Sequence, residues 1–235
     1  MIVVLVVVVA LAAVLVGAEL YYRQSVKSCL AEQLEAELGT QVDVGLSPKP
    51  VLLQAIDKRV PYLTVDSADS SFGPAQDMQV HVRANDIDLD GAEQGAASIG
   101  SSTADIAWSD VGILATVQEQ SFGGLVSGVS TSATDGTLTF DVGPAGLAQL
   151  VVRPMILAES VDVETVSAEV LGFGIPTDLV DGIVETVGRS LQTYPLGMTP
   201  QSLDVHDNGI TMSLAGGAYQ LPAGEQTSSS GGCGI

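Results

Sequence analysis

One stretch late in the chain, Ile175 to Gly197, constrains the fold most. Ile175, Leu179, Ile183, Val187 and Leu191 recur at every fourth position, and Val180 and Val184 widen the stripe. Asp178, Asp181, Glu185 and Arg189 fall on the other side, so the spacing predicts an amphipathic helix over about 176–193. Pro176 can open it, because the first turn needs no donor from that residue, and Pro195 forbids its continuation. The segments around it alternate like strands. Of the 235 residues 46% are hydrophobic but only 4% aromatic, so the interior must be built from Val, Leu, Ile and Ala. That composition, with 26 Gly as punctuation, predicts one α+β domain dominated by antiparallel strands.

Net charge is −20, from 8 basic and 28 acidic residues. Nucleic acid is excluded as a partner, since phosphate neutralisation dominates its binding. The local concentration of cations is Lys49, Lys58 and Arg59, in a Pro-rich loop with an embedded helical turn that also carries Val51, Leu52, Leu53 and Ile56.

The N-terminus, Ile2 to Ala18, is an uncharged run of 17 apolar or small residues. Val16-Gly17-Ala18 resembles a signal-peptidase site, but no positive region precedes the run, so signal peptide and uncleaved membrane anchor both stand. Either implies export. Residues 25–38 then predict a second amphipathic helix, with Val26, Leu30, Leu34 and Leu38 on one face. Strands are expected at 41–46, 62–66, 78–89, 99–108, 137–142, 147–157 and 161–171, and Ser109 as the N-cap of a short helix. Residues 123–132 are ambiguous. Asp207-Asn208-Gly209 predicts a tight hairpin between 202–206 and 210–214. The Gly/Ser-rich tail, 222–235, reads as a flexible end that contains Cys233.

Little in the sequence points to catalysis. His81 and His206 each fall on the polar alternation of a strand, with no zinc-ligand spacing around them. There is no Gly-x-Ser-x-Gly elbow, and Gly172-Phe173-Gly174 lacks the third glycine of a dinucleotide fingerprint. Asp86, Asp88 and Asp90 have part of the calcium-loop spacing, but Ile87 and Leu89 fill the intervening places and no Glu closes the loop. No metal or cofactor is expected. In an exported chain, Cys29 and Cys233 predict a disulfide that closes nearly the whole domain into a loop.

Read in order, several phrases resemble one family. They are Cys29-Leu30 in the first helix, Val42-Asp43-Val44 before the Pro-rich loop, Val65-Asp66-Ser67, and Phe72-Gly73. In the second half come Pro176-Thr177-Asp178-Leu179-Val180, Tyr194-Pro195-Leu196-Gly197, and Ser202-Leu203-Asp204-Val205 leading to Gly209-Ile210-Thr211. Over about residues 20–221 their succession resembles the LmeA-like phospholipid-binding proteins of actinobacterial cell envelopes. The resemblance implies a tubular lipid-binding (TULIP-like) architecture, a curved antiparallel sheet wrapped around a long helix. It also implies a periplasmic, non-enzymatic protein that binds phospholipids, phosphoinositides among them, and supports lipomannan assembly beside a membrane glycosyltransferase.

Three parts are therefore expected: an export segment (1–18), a lipid-binding domain (19–221) and the tail (222–235). The expected groove is lined by Ile175, Leu179, Ile183, Val187 and Leu191, facing Val80 and Val82 on one strand and Phe140 and Val142 on another. Lys49, Lys58 and Arg59 would meet the head group or membrane surface, with Val51, Leu52 and Leu53 dipping into it. The competing expectation is a scaffolding envelope protein with those side chains packed shut, acting by contact with a glycolipid synthase.

Overall fold

The chain runs α1 (Ile2–Leu38), β1 (Val42–Leu46), α2 (Val51–Asp57), β2 (Arg59–Ser67), β3 (Ser71–Phe72), β4 (Ala75–Gln76), β5 (Met78–Asp88), β6 (Ser98–Ser109) and α3 (Asp110–Gln118). Then come β7 (Val126–Ser132), β8 (Thr137–Val142), β9 (Ala148–Leu157), β10 (Ser160–Val170), α4 (Thr177–Leu191), β11 (Thr199–His206), β12 (Gly209–Gly216) and β13 (Tyr219–Gln220). This computed structural model describes residues 2–38, 40–67, 71–72, 75–90, 97–143, 146–170, 176–192 and 194–220. The side chains of 2–9, 11, 37, 38, 71, 72, 169 and 170 fall outside that description.

The fold is α+β with antiparallel sheets that do not close. The larger has the order β1-β2-β5-β6-β12-β11, with β13 also paired to β6; the smaller has the order β10-β9-β8-β7. Where one sheet wrapped around one helix was expected, the strands among the described residues divide between these two sheets and a short β3-β4 pair, and β11 at the edge of the larger touches β7, β9 and β10 of the smaller. Helix α4 packs on β9, β10 and α3. The hairpin forms as its turn chemistry predicts, with His206 opposite Gly209. Ser109 caps α3 as expected, its Oγ accepting from the Gly112 N–H at 3.0 Å.

Two local differences matter for the site. The apolar run and the predicted helix at 25–38 are one continuous helix, α1, because nothing between Ala18 and Ser25 breaks it. The helical turn expected in the Pro-rich loop is a seven-residue helix, α2, that starts directly after Pro50.

Apolar burial divides into two clusters. The larger lies between the sheets and under α3 and α4, where Trp108, Phe140, Ile113, Leu138, Leu150, Ile183, Val187 and Leu191 are each at most 1% exposed. Trp108 satisfies its buried indole N–H on the Gln76 carbonyl at 2.9 Å. The smaller cluster, Val60, Ala84, Ile87 and Ile99, lies towards the other end of β5 and β6, below α1 and α2.

Candidate functional site

The smaller cluster is incompletely filled. A cavity of about 490 Å³ is walled by Val26, Leu30 and Leu34 of α1, Val51 and Gln54 of α2, and Leu46 of β1. The sheet supplies its floor through Val60, Leu63, Val65, Val82, Ala84, Ile87 and Ile99, and Leu89, Pro195 and Leu196 complete it. Gln54 is the one polar side chain in this lining. Its amide donates to the Lys49 carbonyl at 2.6 Å and lies 3.3 Å from the Ser47 hydroxyl. The cavity persists because, Gln54 apart, the wall holds only aliphatic side chains, several of them small, where the larger cluster is packed with Trp108 and Phe140. Such a chamber offers burial and shape but almost no directional chemistry.

Local sequence explains the walls. Val26, Leu30 and Leu34 lie at helical spacing on one side of α1, and β5 turns Val82 and Ala84 to the same side two residues apart. The Pro195-Leu196-Gly197 loop brings Leu196 inward with a left-handed backbone, φ 54°. Gly197 follows at φ 63°, where a Cβ would sit 2.9 Å from the Tyr219 ring. Glycine is required there.

Helix α2 is held by its neighbours. Pro50 at its N-cap offers no side-chain cap, and α1 supplies one: Glu19 accepts from the Val51 N–H at 2.6 Å and the Leu52 N–H at 3.3 Å. One turn on, Arg23 donates to the Leu46 and Ser47 carbonyls, both at 2.8 Å. Inside α2, Val51 and Gln54 face the cavity; outside, Leu53 is 51% and Ile56 79% exposed.

The expected groove residues fall mostly elsewhere. Leu179, Ile183, Val187, Leu191, Val80, Phe140 and Val142 are all buried in the larger cluster, and of the expected set only Val82 lines the cavity. Ile175 lies outside the described residues. The strongest amphipathic stripe marks the helix that fills the main core. The cavity is signalled instead by the earlier stripe of Val26, Leu30 and Leu34, to which the sequence reading gave no site role.

Lys49, Lys58 and Arg59 lie at the ends of α2, and each faces an acid. Lys49 Nζ meets Asp57 at 2.5 Å and the Arg59 carbonyl at 2.9 Å, Lys58 lies 3.6 Å from Asp90, and Arg59 lies 3.8 Å from Asp88. The Lys49 hydrogen bond holds the Asp57 carboxyl below its ordinary range. Val51 belongs to the cavity wall, Leu52 is half-buried and Leu53 faces out.

Elsewhere the larger sheet carries a polar row, Asp66, His81, Asp105, Ser213 and Ser202, in register across five strands. His81 hydrogen-bonds Asp66 there, and His206 Nε2 lies 2.8 Å from the Thr211 hydroxyl. Among the described residues no cluster of His, Cys, Asp and Glu could hold a metal ion, Asp86, Asp88 and Asp90 included. Cys29 is half-buried next to Leu30 on α1, and Cys233 lies outside the described residues.

A model of the LmeA-like phospholipid-binding family matches residues 13–215, most of the chain. The chain belongs to that family. The LmeA-like family is one of phospholipid binders, and its match spans every element that walls the cavity. Uncharacterized proteins of Mycobacterium bovis and of Mycobacterium tuberculosis are similar to this chain, 26% identical over 217 residues. The matched region covers 90% of this chain and 62% of theirs, so the chain spans less than two thirds of the length of these relatives. No solved structure gives a significant match.

Proposed function

We propose that the chain is an exported, non-enzymatic phospholipid-binding or carrier protein of tubular lipid-binding type, which seats acyl chain in the cavity under α1 and α2. The observation that carries the reading is the 490 Å³ chamber with a nearly all-aliphatic wall, in a chain of a phospholipid-binding family. With about 30 Å³ for each water-sized group, the chamber has room for roughly 16 methylenes. At ~0.8 kcal/mol each, a single long acyl chain supplies ample binding energy without any charged contact. The paired state of Lys49, Lys58 and Arg59 fits that division, with affinity coming from the tail and the head group left near solvent.

The exposed first half of α1 supports a place at a membrane surface. Val14, Leu15, Val16 and Leu20 are 60–68% exposed on its first half, with Tyr21 and Tyr22 beside them. Among the described residues no helix is long and apolar enough to cross a membrane. An exposed aliphatic helix flanked by tyrosines suits contact with a bilayer and its interface. On this reading the protein works at an envelope membrane, handing phospholipid, phosphoinositides included, towards a glycosyltransferase of lipomannan assembly.

Lipid extraction of the protein purified from cells, followed by mass spectrometry, tests the binding claim. About one lipid per chain is expected. A clean blank, together with no uptake from vesicles, returns the protein to the scaffolding role.

A further inference from the structure

We propose that α2 is the gate through which an acyl chain passes between a lipid bilayer and the cavity, with its outer face entering the bilayer. The proposal rests on the lipid-binding reading above and adds a route to it.

A short surface helix ordinarily hides one apolar side and shows water the other. Helix α2 shows water apolar side chains instead. Val51 and Gln54 close the cavity, while Leu53 and Ile56, 51% and 79% exposed, point away from it. Its seven residues are too few to hold a helix on intrinsic propensity. What fixes it is a set of polar clips at its ends: Glu19 on the Val51 and Leu52 N–H groups, Lys49 with Asp57, and the Gln54 amide on the Lys49 carbonyl. Glu19, Lys49 and Asp57 keep partial access to solvent, so water competes for their contacts, each of which is weak by itself. The flanking residues suit a pivot, with Pro50 before the helix and Lys58 after it at φ 52°. Opening is therefore inexpensive compared with unfolding either apolar cluster.

The occupant of the outer face is a bilayer, for reasons of position. Glu19, which clips the start of α2, directly follows the apolar run Ile2–Ala18 of α1. Leu20, Tyr21 and Tyr22 are exposed at the same level of α1. Lys58 and Arg59, 49% and 75% exposed beside the end of α2, have only loose acidic partners and stems long enough to lie at the bilayer surface while Leu53 and Ile56 dip. Once Leu53 and Ile56 enter the bilayer, α2 swings on its flanks and lifts Val51 and Gln54 off the cavity. The chamber then opens onto the acyl region. A chain passing this way avoids water, whose exposure penalty of ~0.8 kcal/mol per methylene would make free transfer slow.

The test uses the full chain and phosphatidylglycerol/phosphatidylcholine vesicles that carry a self-quenched fluorescent phospholipid. Rate of dequenching and final occupancy are recorded for the wild type, for Leu53→Ser with Ile56→Ser, and for Glu19→Ala. The double variant is expected to slow transfer from vesicles by about tenfold or more, with wild-type uptake of a short-chain phospholipid delivered as monomer. Glu19→Ala is expected to speed vesicle transfer severalfold. Equal vesicle rates in all three proteins would overturn the gate and leave lipid binding intact. Monomer uptake slowed as much as vesicle transfer would also overturn it, since the two side chains would then act on the cavity. No uptake by the wild type in either format would instead remove the lipid-binding reading itself.

Discussion

The carboxylate of Glu19 caps a helix it does not belong to, accepting from the backbone N–H of Val51 at 2.6 Å. A helix N-terminus carries partial positive charge and unpaired donors, and Pro50 leaves both unanswered. The contact couples the end of the apolar run to the cover of the cavity.

Glu19→Ala is expected to cost α2 about 1 kcal/mol of local stability, the usual size of a lost cap. Hydrogen exchange at Leu53 and Gln54, both bonded to the Pro50 carbonyl, should then quicken by about fivefold while the strands keep wild-type protection. Unchanged exchange at these two amides would show the cap to be dispensable.

Filling the cavity and emptying the core should have opposite effects. Ala84→Phe places a ring in the chamber and is expected to abolish lipid uptake with little change in thermal stability. Ile183→Ala, in the solid core, is expected to cost about 2–5 kcal/mol and to leave lipid bound per folded molecule unaltered. Urea melts and lipid counting on both variants separate a chamber under α1 from a groove along α4.

That contrast also says what was legible in the sequence. Strand alternation and the Asp207-Asn208-Gly209 turn placed most of the larger sheet, because period and turn chemistry are local properties. The amphipathic stripe of α4 was equally readable, but a stripe records burial and does not distinguish a filled core from a wall facing space. That distinction lies in volume: Trp108 and Phe140 fill one cluster, while Ala84, Val60 and Val82 leave the other short of atoms. Glu19, Arg23 and Gln54 could not be found by pattern, since each acts on backbone groups brought close only by the fold.

Tyr194 ties the segment after α4 to β10, its hydroxyl accepting from the Val161 N–H at 2.8 Å. Burial raises its pKa above the ordinary 10.0, against the opposing pull of that N–H. A raised folded value means the phenol stabilises the fold below about pH 10 and loses that contribution as pH climbs through the folded value. Tyr194→Phe should cost about 1–3 kcal/mol at neutral pH by orphaning the Val161 donor, and should flatten the alkaline limb of stability against pH. Asp57 has the opposite sign. Its lowered folded value makes its contribution present above about 3.8 and lost as pH falls below that, so α2 should loosen in acid and hold steady from about pH 5 to 8.

Cys29 and Cys233 are expected to form a bridge that pins the tail to α1 beside the cavity. On the chain-entropy model a loop of this size contributes about 4–5 kcal/mol. Intact mass before and after reduction should differ by the two thiol hydrogens, and reductant should lower the melting temperature. Two titratable thiols in the unreduced protein would sink the assignment.

Strand β5 runs through both apolar clusters, with Val80 in the packed one and Ala84 beneath the chamber four residues later. Neighbouring positions on a single strand are thus subject to different rules of tolerance. Around Val80, a change of one methylene strains a close-packed interior; around Ala84, the same change trims or enlarges an empty volume. On the proposed lipid-binding reading, exchanging side chains at one end of the strand would retune which tails fit, with folding anchored at the other.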